Sequence, residues 1–483
     1  MPLVSPPLGA AVPPSPHATV VSLPTLADVE GYERKDPATL RHITHGYPRF
    51  VRHRLVGEAA ARAAAGLGRA GERFPLVSRA AAERLAARAG ATIASLDPVA
   101  DWWLLTTPAG DAATRLAKFV QHTGTLISSR QADAYLAPDR RHVGVSPAPV
   151  RRALAPYLAG VAEADVLVAT SGMNAVDAAL AAVDAVQRPR GRRAWIQLGW
   201  LYVDSTRLLE KAVDAPHHFV PDVRDLAAVE RLLAAGDVAG VLVEIPNNPQ
   251  LETADVPALR ALCDRHGALL LLDPSSVGLA TVDVLPWADV LACSLTKYAA
   301  ADGDVMAGVL AVNPARPDAA ALRAVARERL EPLHPLDTAA LAAQVGRLGE
   351  VSARLSANAA ELARRLAAHP AVARVRTADT GPTAAAFRAV RRPGAGAGAL
   401  ITVELRGDLR EVYDRLAVVK GPSFGLRFTL AAPFLWLAHF EQVTTEAGRA
   451  ELRAAGLDPD LLRVSVGAEP TEEIWTAFAA ALR

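Results

Sequence analysis

Short apolar runs of strand length recur between helix-length segments through the middle of the chain, at 166–170, 194–198, 240–245, 268–272, 290–294 and 306–312. Strands that alternate with helices and carry apolar residues on both faces belong to a parallel sheet covered by helices on each side. After Pro314 the pattern changes to long Ala/Leu/Arg helices as far as His369, then strands at 399–405 and 462–466 and a last helix at 471–483. This predicts a separate, smaller C-terminal α+β domain. Upstream, the alanine-rich run 52–69 reads as a helix, and the first 24 residues, rich in proline, read as an extended arm lying on other structure. Between them and the sheet, short apolar runs alternating with helical patterns predict a small α/β insertion. The expected divisions are 1–73 (arm and helix), 74–140 (insertion), 141–313 (large domain) and 314–483 (C-terminal domain). No repeat of solenoid or propeller period is present.

A chain of 483 residues exceeds what one core usually serves, consistent with a main and a lesser domain. Hydrophobic residues make up 51% and charged residues 21%, an ordinary globular balance. A net charge of +1 without a basic run leaves no electrostatic footprint for nucleic acid. Cys263 and Cys293 both lie in or beside apolar runs, which predicts packed, reduced thiols and a cytoplasmic protein. The first 16 residues lack the Lys/Arg of a secretory leader, and no apolar stretch reaches spanning length, so neither export nor a membrane is expected.

Gly66-Leu67-Gly68-Arg69-Ala70-Gly71 fits a dinucleotide-binding pattern, but that pattern needs a strand turning into a helix, and here the preceding run is helical; these glycines read as a helix end. The informative pair is Asp273-Pro274-Ser275-Ser276 and Ser294-Leu295-Thr296-Lys297, each closing an apolar strand. Ligands of open parallel sheets gather beyond the carboxyl ends of strands, so both segments can face one crevice. On their own, these residues fit equally a Lys297 that extends to solvent and an Asp273 that caps a helix. Ser171-Gly172-Met173 adds an anion site, a turn from strand to helix whose backbone N–H groups suit a phosphate. Phosphate, carboxylate, lysine and aromatic partners together point to pyridoxal phosphate; no metal is assigned.

With these residues in view the chain resembles the trans-sulfuration enzymes, the cystathionine synthases and lyases. The likeness is carried by Ala169-Thr170-Ser171-Gly172-Met173, Leu201-Tyr202 with Arg207, Pro246-Asn247-Asn248-Pro249, Leu272-Asp273, Ser294-Leu295-Thr296-Lys297-Tyr298 and Leu462-Arg463-Val464-Ser465-Val466-Gly467. Pro16-His17-Ala18, Ser22-Leu23-Pro24-Thr25, Gly46-Tyr47-Pro48-Arg49-Phe50, Gln121-His122-Thr123-Gly124, Ile127-Ser128-Ser129-Arg130 and Lys420-Gly421-Pro422-Ser423 are similar to the long, fungal type of cystathionine γ-synthase. The resemblance implies the aspartate aminotransferase-like fold type I, with 141–313 binding the cofactor and 1–73 reaching a neighbouring subunit. It makes Lys297 the cofactor-bearing lysine and base, and Tyr202, stacked on the ring, its catalytic companion. Asp273 pairs with the ring nitrogen and Asn248 binds the phenolic oxygen and faces the substrate. Gly172, Met173, Ser294 and Thr296 bind phosphate, joined by Tyr47 and Arg49 from a neighbouring subunit, whence a homodimer or homotetramer with shared sites. Arg463 clamps the substrate carboxylate, with Ser423 and Arg207 as further substrate contacts.

The implied activity is γ-replacement on an activated homoserine, with cysteine as the possible second substrate. The chain departs from the family beside the pocket: Pro422-Ser423-Phe424-Gly425 stands where many members carry Glu-Ser-Leu-Gly, and Leu426-Arg427 is also unusual. A bulkier aromatic and a new cation beside the carboxylate site are grounds for an alternative, second to replacement: γ-elimination from a γ-substituted, for instance halogenated, amino acid of specialised metabolism.

Overall fold

The computed structural model describes residues 3–45, 52–211 and 215–483. Seven strands form the central sheet: β1 (Leu167–Ala169), β2 (Ala194–Leu198), β3 (His217–Val220), β4 (Val238–Glu244), β5 (Leu269–Asp273), β6 (Val290–Ser294) and β7 (Gly308–Val312). Their order is β1-β7-β6-β5-β4-β2-β3. The run from β3 through β6 is parallel, and β7 is antiparallel to both β6 and β1. The sequence reading had placed 306–312 among the parallel strands. No helix intervenes between Ser294 and Gly308, so the chain cannot cross over the sheet and returns in the opposite direction. Strand β3 escaped the sequence reading because His217 and His218 break its apolar run, and at the sheet edge only Val220 is buried.

Central strands read as continuous apolar runs because both faces are covered. Val241, Val243, Leu270 and Leu272 join one core, while Leu242, Leu269 and Leu271 join the core on the opposite face. Alternate residues of the same strands thus supply both layers. Cys263 and Cys293 are buried and unpaired, as their apolar neighbourhoods implied.

The C-terminal sheet has five strands, β8 (Val372–Arg376), β9 (Leu400–Leu405), β10 (Val419–Lys420), β11 (Leu430–Pro433) and β12 (Leu462–Ser465), ordered β8-β9-β12-β11-β10. Only β9 and β12 were legible in the sequence; β10 is two residues long and β11 is followed at once by a helix. The N-terminal arm lies on this domain, burying Val21, Leu23, Leu26, Val29 and Tyr32 in its core. The insertion is a three-stranded antiparallel sheet, Glu72–Leu76, Trp102–Thr107 and Ser95–Val99, with helices Arg79–Ala89 and Asp111–Thr123. Ahead of it, helix Arg54–Gly66 stops at Gly68 and Gly71, whose φ values of +63° and +95° suit a chain leaving a helix. No helix among the described residues is long and apolar enough to cross a membrane.

Packing between β2 and β4 is close enough to test. A Cβ on Gly240 would lie 2.8 Å from the Trp195 ring and 3.2 Å from the Leu269 carbonyl oxygen. Gly240→Ala is expected to cost about 1–3 kcal/mol, read as a lowered thermal midpoint of the cofactor-free protein. An unchanged midpoint would show that the indole moves aside without penalty.

Candidate active site

The carboxyl ends of β4, β5 and β6 deliver Glu244, Asp273 and Ser294 to one crevice, and Lys297 follows on the turn after β6. That turn is held by its next residue. Tyr298 has φ +57°, an uncommon value for a bulky side chain. Its hydroxyl donates to the Ser276 carbonyl at 2.8 Å and accepts from Ala399 N–H, and its own N–H donates to Gly425. The crevice encloses about 1180 Å³, its open mouth included, between the large domain and the later part of the C-terminal domain.

Every ionisable group at the sheet end is buried. Burial raises the Asp273 carboxyl to about 6, against the opposing hydrogen bonds from Ser275 N–H (2.8 Å) and Oγ (2.5 Å). Glu244, paired in register with Asp273, is pushed well above the carboxylate range by burial first and by Asp273 second. Lys297 lies well below the ordinary lysine value, through burial first and the nearby Arg463 charge second. Its Nζ donates to Ser423 Oγ at 2.7 Å and sits 4.9 Å from the centre of the Phe424 ring.

At the other end of the crevice, Ser171 caps helix Gly172–Gln187 by accepting from Asn174 N–H at 3.0 Å, which leaves the turn's backbone facing inward. A Cβ on Gly172 would meet Ser294 Cβ at 2.8 Å, so only glycine lets helix and β6 approach this closely. Gly124 and Gln121, from the end of helix Asp111–Thr123, line the same end. Beside them His122 Nδ1 and Asp204 Oδ1 are 2.8 Å apart and buried.

Arg463 on β12 enters from the C-terminal domain. Its guanidinium donates to the Ser423 carbonyl at 2.8 Å and lies 4.7 Å from the Phe434 ring centre and 5.4 Å from that of Phe424. Ser423 itself has φ +148°, a strained value held by bonds from both cationic residues.

The residues present fit pyridoxal phosphate. Ser294 Oγ and Asn248 Oδ1 are buried oxygens without a hydrogen-bond partner, the cradle at Gly172 suits a phosphate, and a desolvated carboxyl faces the same space as a desolvated amine. Buried unsatisfied atoms are costly, and a polar ligand would repay them. Fold and site together define a pyridoxal-phosphate enzyme of the aspartate aminotransferase-like architecture. A family model described as Cys/Met metabolism PLP-dependent enzyme matches residues 114–483, and the chain belongs to that family.

Similarity extends beyond the family model. The chain is 42% identical over 97% of its length, and 96% of the relative's, to an L-2-amino-4-chloropent-4-enoate dechlorinase/desaturase of Streptantibioticus cattleyicolor. It is 31% identical to a cystathionine gamma-synthase of Neurospora crassa over 76% of this chain and 59% of that protein. Among solved structures, a cystathionine gamma synthase from Xanthomonas oryzae pv. oryzae shares the fold with a TM-score of 0.60 and 24% identity, over 70% of this chain and 86% of that one.

Of the residues expected from sequence, Lys297, Tyr202, Gly172, Met173, Asn248, Asp273, Ser294, Ser423 and Arg463 all line the crevice. Two do not. Arg207 sits on the exposed side of helix Val203–Lys211 and pairs with Glu210 at 2.5 Å, because helical spacing turns Asp204, Ser205, Leu208 and Leu209 inward instead. Thr296 directs its hydroxyl to the backbone of Ala307. Tyr47 and Arg49 lie outside the described residues. Sequence reasoning missed Glu244 and Phe434, and named Ser275 only within its segment, without a role. A single acid closing an otherwise apolar strand was the available signal for Glu244; Phe434 had none.

The raised Asp273 carboxyl has a consequence for stability. The folded protein binds this proton more tightly than the unfolded chain, so the stability it confers is complete below about pH 4 and is lost as pH rises through about 6. Cofactor-free Asp273→Asn is therefore expected to exceed wild type at pH 8, by at most ~3 kcal/mol, with the gap closing toward pH 4. Thermal midpoints measured across that range check it, and a gap independent of pH would overturn the assignment.

Proposed function

We propose that the enzyme catalyses γ-elimination, expelling a small, uncharged substituent such as chlorine from Cγ of an L-amino acid, in preference to γ-replacement by cysteine. The observation that carries this reading is the full-length likeness to the dechlorinase/desaturase, which exceeds that to the cystathionine γ-synthase in both identity and coverage. The lining of the crevice supports it. Lys297 and Arg463 are the cationic side chains of the lining among the described residues, against Asp204, Glu244 and Asp273. With Lys297 reserved for the cofactor and Arg463 for the α-carboxylate, a succinyl or phosphoryl leaving group would bring an anion into a wall of Val203, Met306, Phe424, Phe434 and Leu437. A desolvated anion without a partner is strongly disfavoured, whereas a chloroalkene matches such a wall.

Pyridoxal phosphate, when bound, supplies an electron sink at Cα. The chain's own residues do the rest. Arg463 holds the substrate carboxylate and thereby orients Cα–H toward Lys297, whose amine, biased toward its neutral form by burial first and by Arg463 second, accepts it. Tyr202 covers the ring face, and Asp273 balances the ring nitrogen. A second proton is then lost as chloride leaves, and one of the two protons removed is returned to carbon, so that overall one C–H and one C–Cl bond break, one π bond forms and H+ and chloride depart, without oxidant. The phosphate end of the crevice shows no cation among the described residues, which supports a shared site in which Tyr47 and Arg49 of one subunit complete the phosphate contacts of another in a dimer or tetramer.

Incubation with 2-amino-4-chloropent-4-enoate is expected to release chloride without any thiol. Its kcat/KM should exceed that for O-phosphohomoserine plus cysteine by ~100-fold or more, since the site's buried groups reject an unmatched charge. Cystathionine formed at comparable efficiency would reverse the assignment in favour of replacement. Arg463→Ala is expected to lower kcat/KM for the chlorinated substrate by at least ~30-fold, mostly through KM, as a charged hydrogen-bonded pair is lost. Unchanged kinetics would place the carboxylate elsewhere.

A further inference from the structure

Glu244 has no role in the preceding scheme, yet it lies in the same crevice and is buried. Its partner in the β4–β5 register is Asp273, and registered neighbours in a parallel pair point to the same side, so two carboxyl groups share one dry corner. Among the described residues no ion pair is made to either acid: burial and Asp273 raise Glu244 against the bond from Tyr202 N–H, and burial raises Asp273 against the bonds from Ser275. Two like charges cannot both persist there, and the acid that keeps the proton is the one with fewer donors. Asp273 receives two bonds from Ser275, while Glu244 receives one, from Tyr202 N–H to Oε1 at 2.5 Å.

We propose that Glu244 is a positioning residue: as the neutral acid it fixes the backbone of Tyr202 over the cofactor ring and leaves Asp273 the single negative charge opposite the ring nitrogen. The bond to Tyr202 is made by a carboxyl oxygen that a glutamine can reproduce, so charge is not what this position requires. Tyr202 begins the segment leading into helix Val203–Lys211, and its N–H precedes that helix's own hydrogen bonds. An acceptor rooted in the central sheet therefore sets where the ring-covering side chain starts. This rests on the assignment of Tyr202 to the ring face.

The test is cofactor affinity and the visible circular dichroism of the reconstituted protein, measured beside activity. E244Q is expected to bind pyridoxal phosphate within about threefold of wild type and keep the visible band. E244A is expected to weaken binding by roughly tenfold, the worth of one good hydrogen bond, and to shrink the band. Should E244A not fold, E244D serves, since a side chain one methylene shorter withdraws the acceptor and should shift affinity in the same direction. An E244Q protein that loses cofactor as D273N does would overturn the proposal, showing that charge is required. So would E244A or E244D matching wild type. Y202A run in parallel separates the two ideas: an unaltered band in Y202A sinks the stacking assignment itself, whatever Glu244 does.

Discussion

Desolvation at the ends of three parallel strands is the constraint on which the rest of the molecule depends. Glu244, Asp273 and Lys297 are all buried, and burial acts against the charged form of each. In the cofactor-free chain these groups are a liability, because ionised groups in a dry interior are expensive unless paired. A ligand carrying a ring nitrogen for Asp273 and an aldehyde for the Lys297 amine turns the same burial into binding energy. The sheet has to be rigid to sustain this, and it is: β4, β5 and β6 are covered on both faces, so their ends cannot relax toward solvent.

How much of this could be read from sequence follows from the same physics. Parallel strands covered on both sides are apolar throughout, so β4, β5 and β6 stood out, and with them the residues at their ends. Strands on an edge or only partly covered, such as β3 with its two histidines, lack that signature. Lys297, Asp273 and Ser171-Gly172-Met173 were legible because each closes a strand or opens a helix. Arg207 failed because a motif match carries no information about which way a helix turns its side chains; its neighbours Leu208 and Leu209 took the inward positions. Phe434 is brought to the site by the C-terminal fold alone, and Thr296 is claimed by a backbone bond to Ala307 that no pattern announces.

The choice between elimination and replacement turns on what surrounds Cγ rather than on what holds Cα. In the proposed scheme Lys297, Asp273 and Arg463 serve either outcome, since both begin by removing the Cα proton from a clamped amino acid. Phe424 is different. Its ring centre lies 4.9 Å from Lys297 Nζ and 5.4 Å from the Arg463 guanidinium, so one aromatic ring lies against both the proposed base and the proposed carboxylate clamp. Phe434, its ring centre 4.7 Å from the guanidinium, is a second aromatic contact of Arg463. Cation–π contacts of this kind stiffen the arginine and keep water from it. They also occupy space: an incoming cysteine would need room near Cγ and a partner for its own carboxylate, and in the proposed scheme Arg463 is committed to the first substrate. A wall that is aromatic and aliphatic, next to a single carboxylate clamp, fits the proposed elimination, in which one amino acid is held at a time and its uncharged γ-substituent is expelled as a small halide without a nucleophile taking its place.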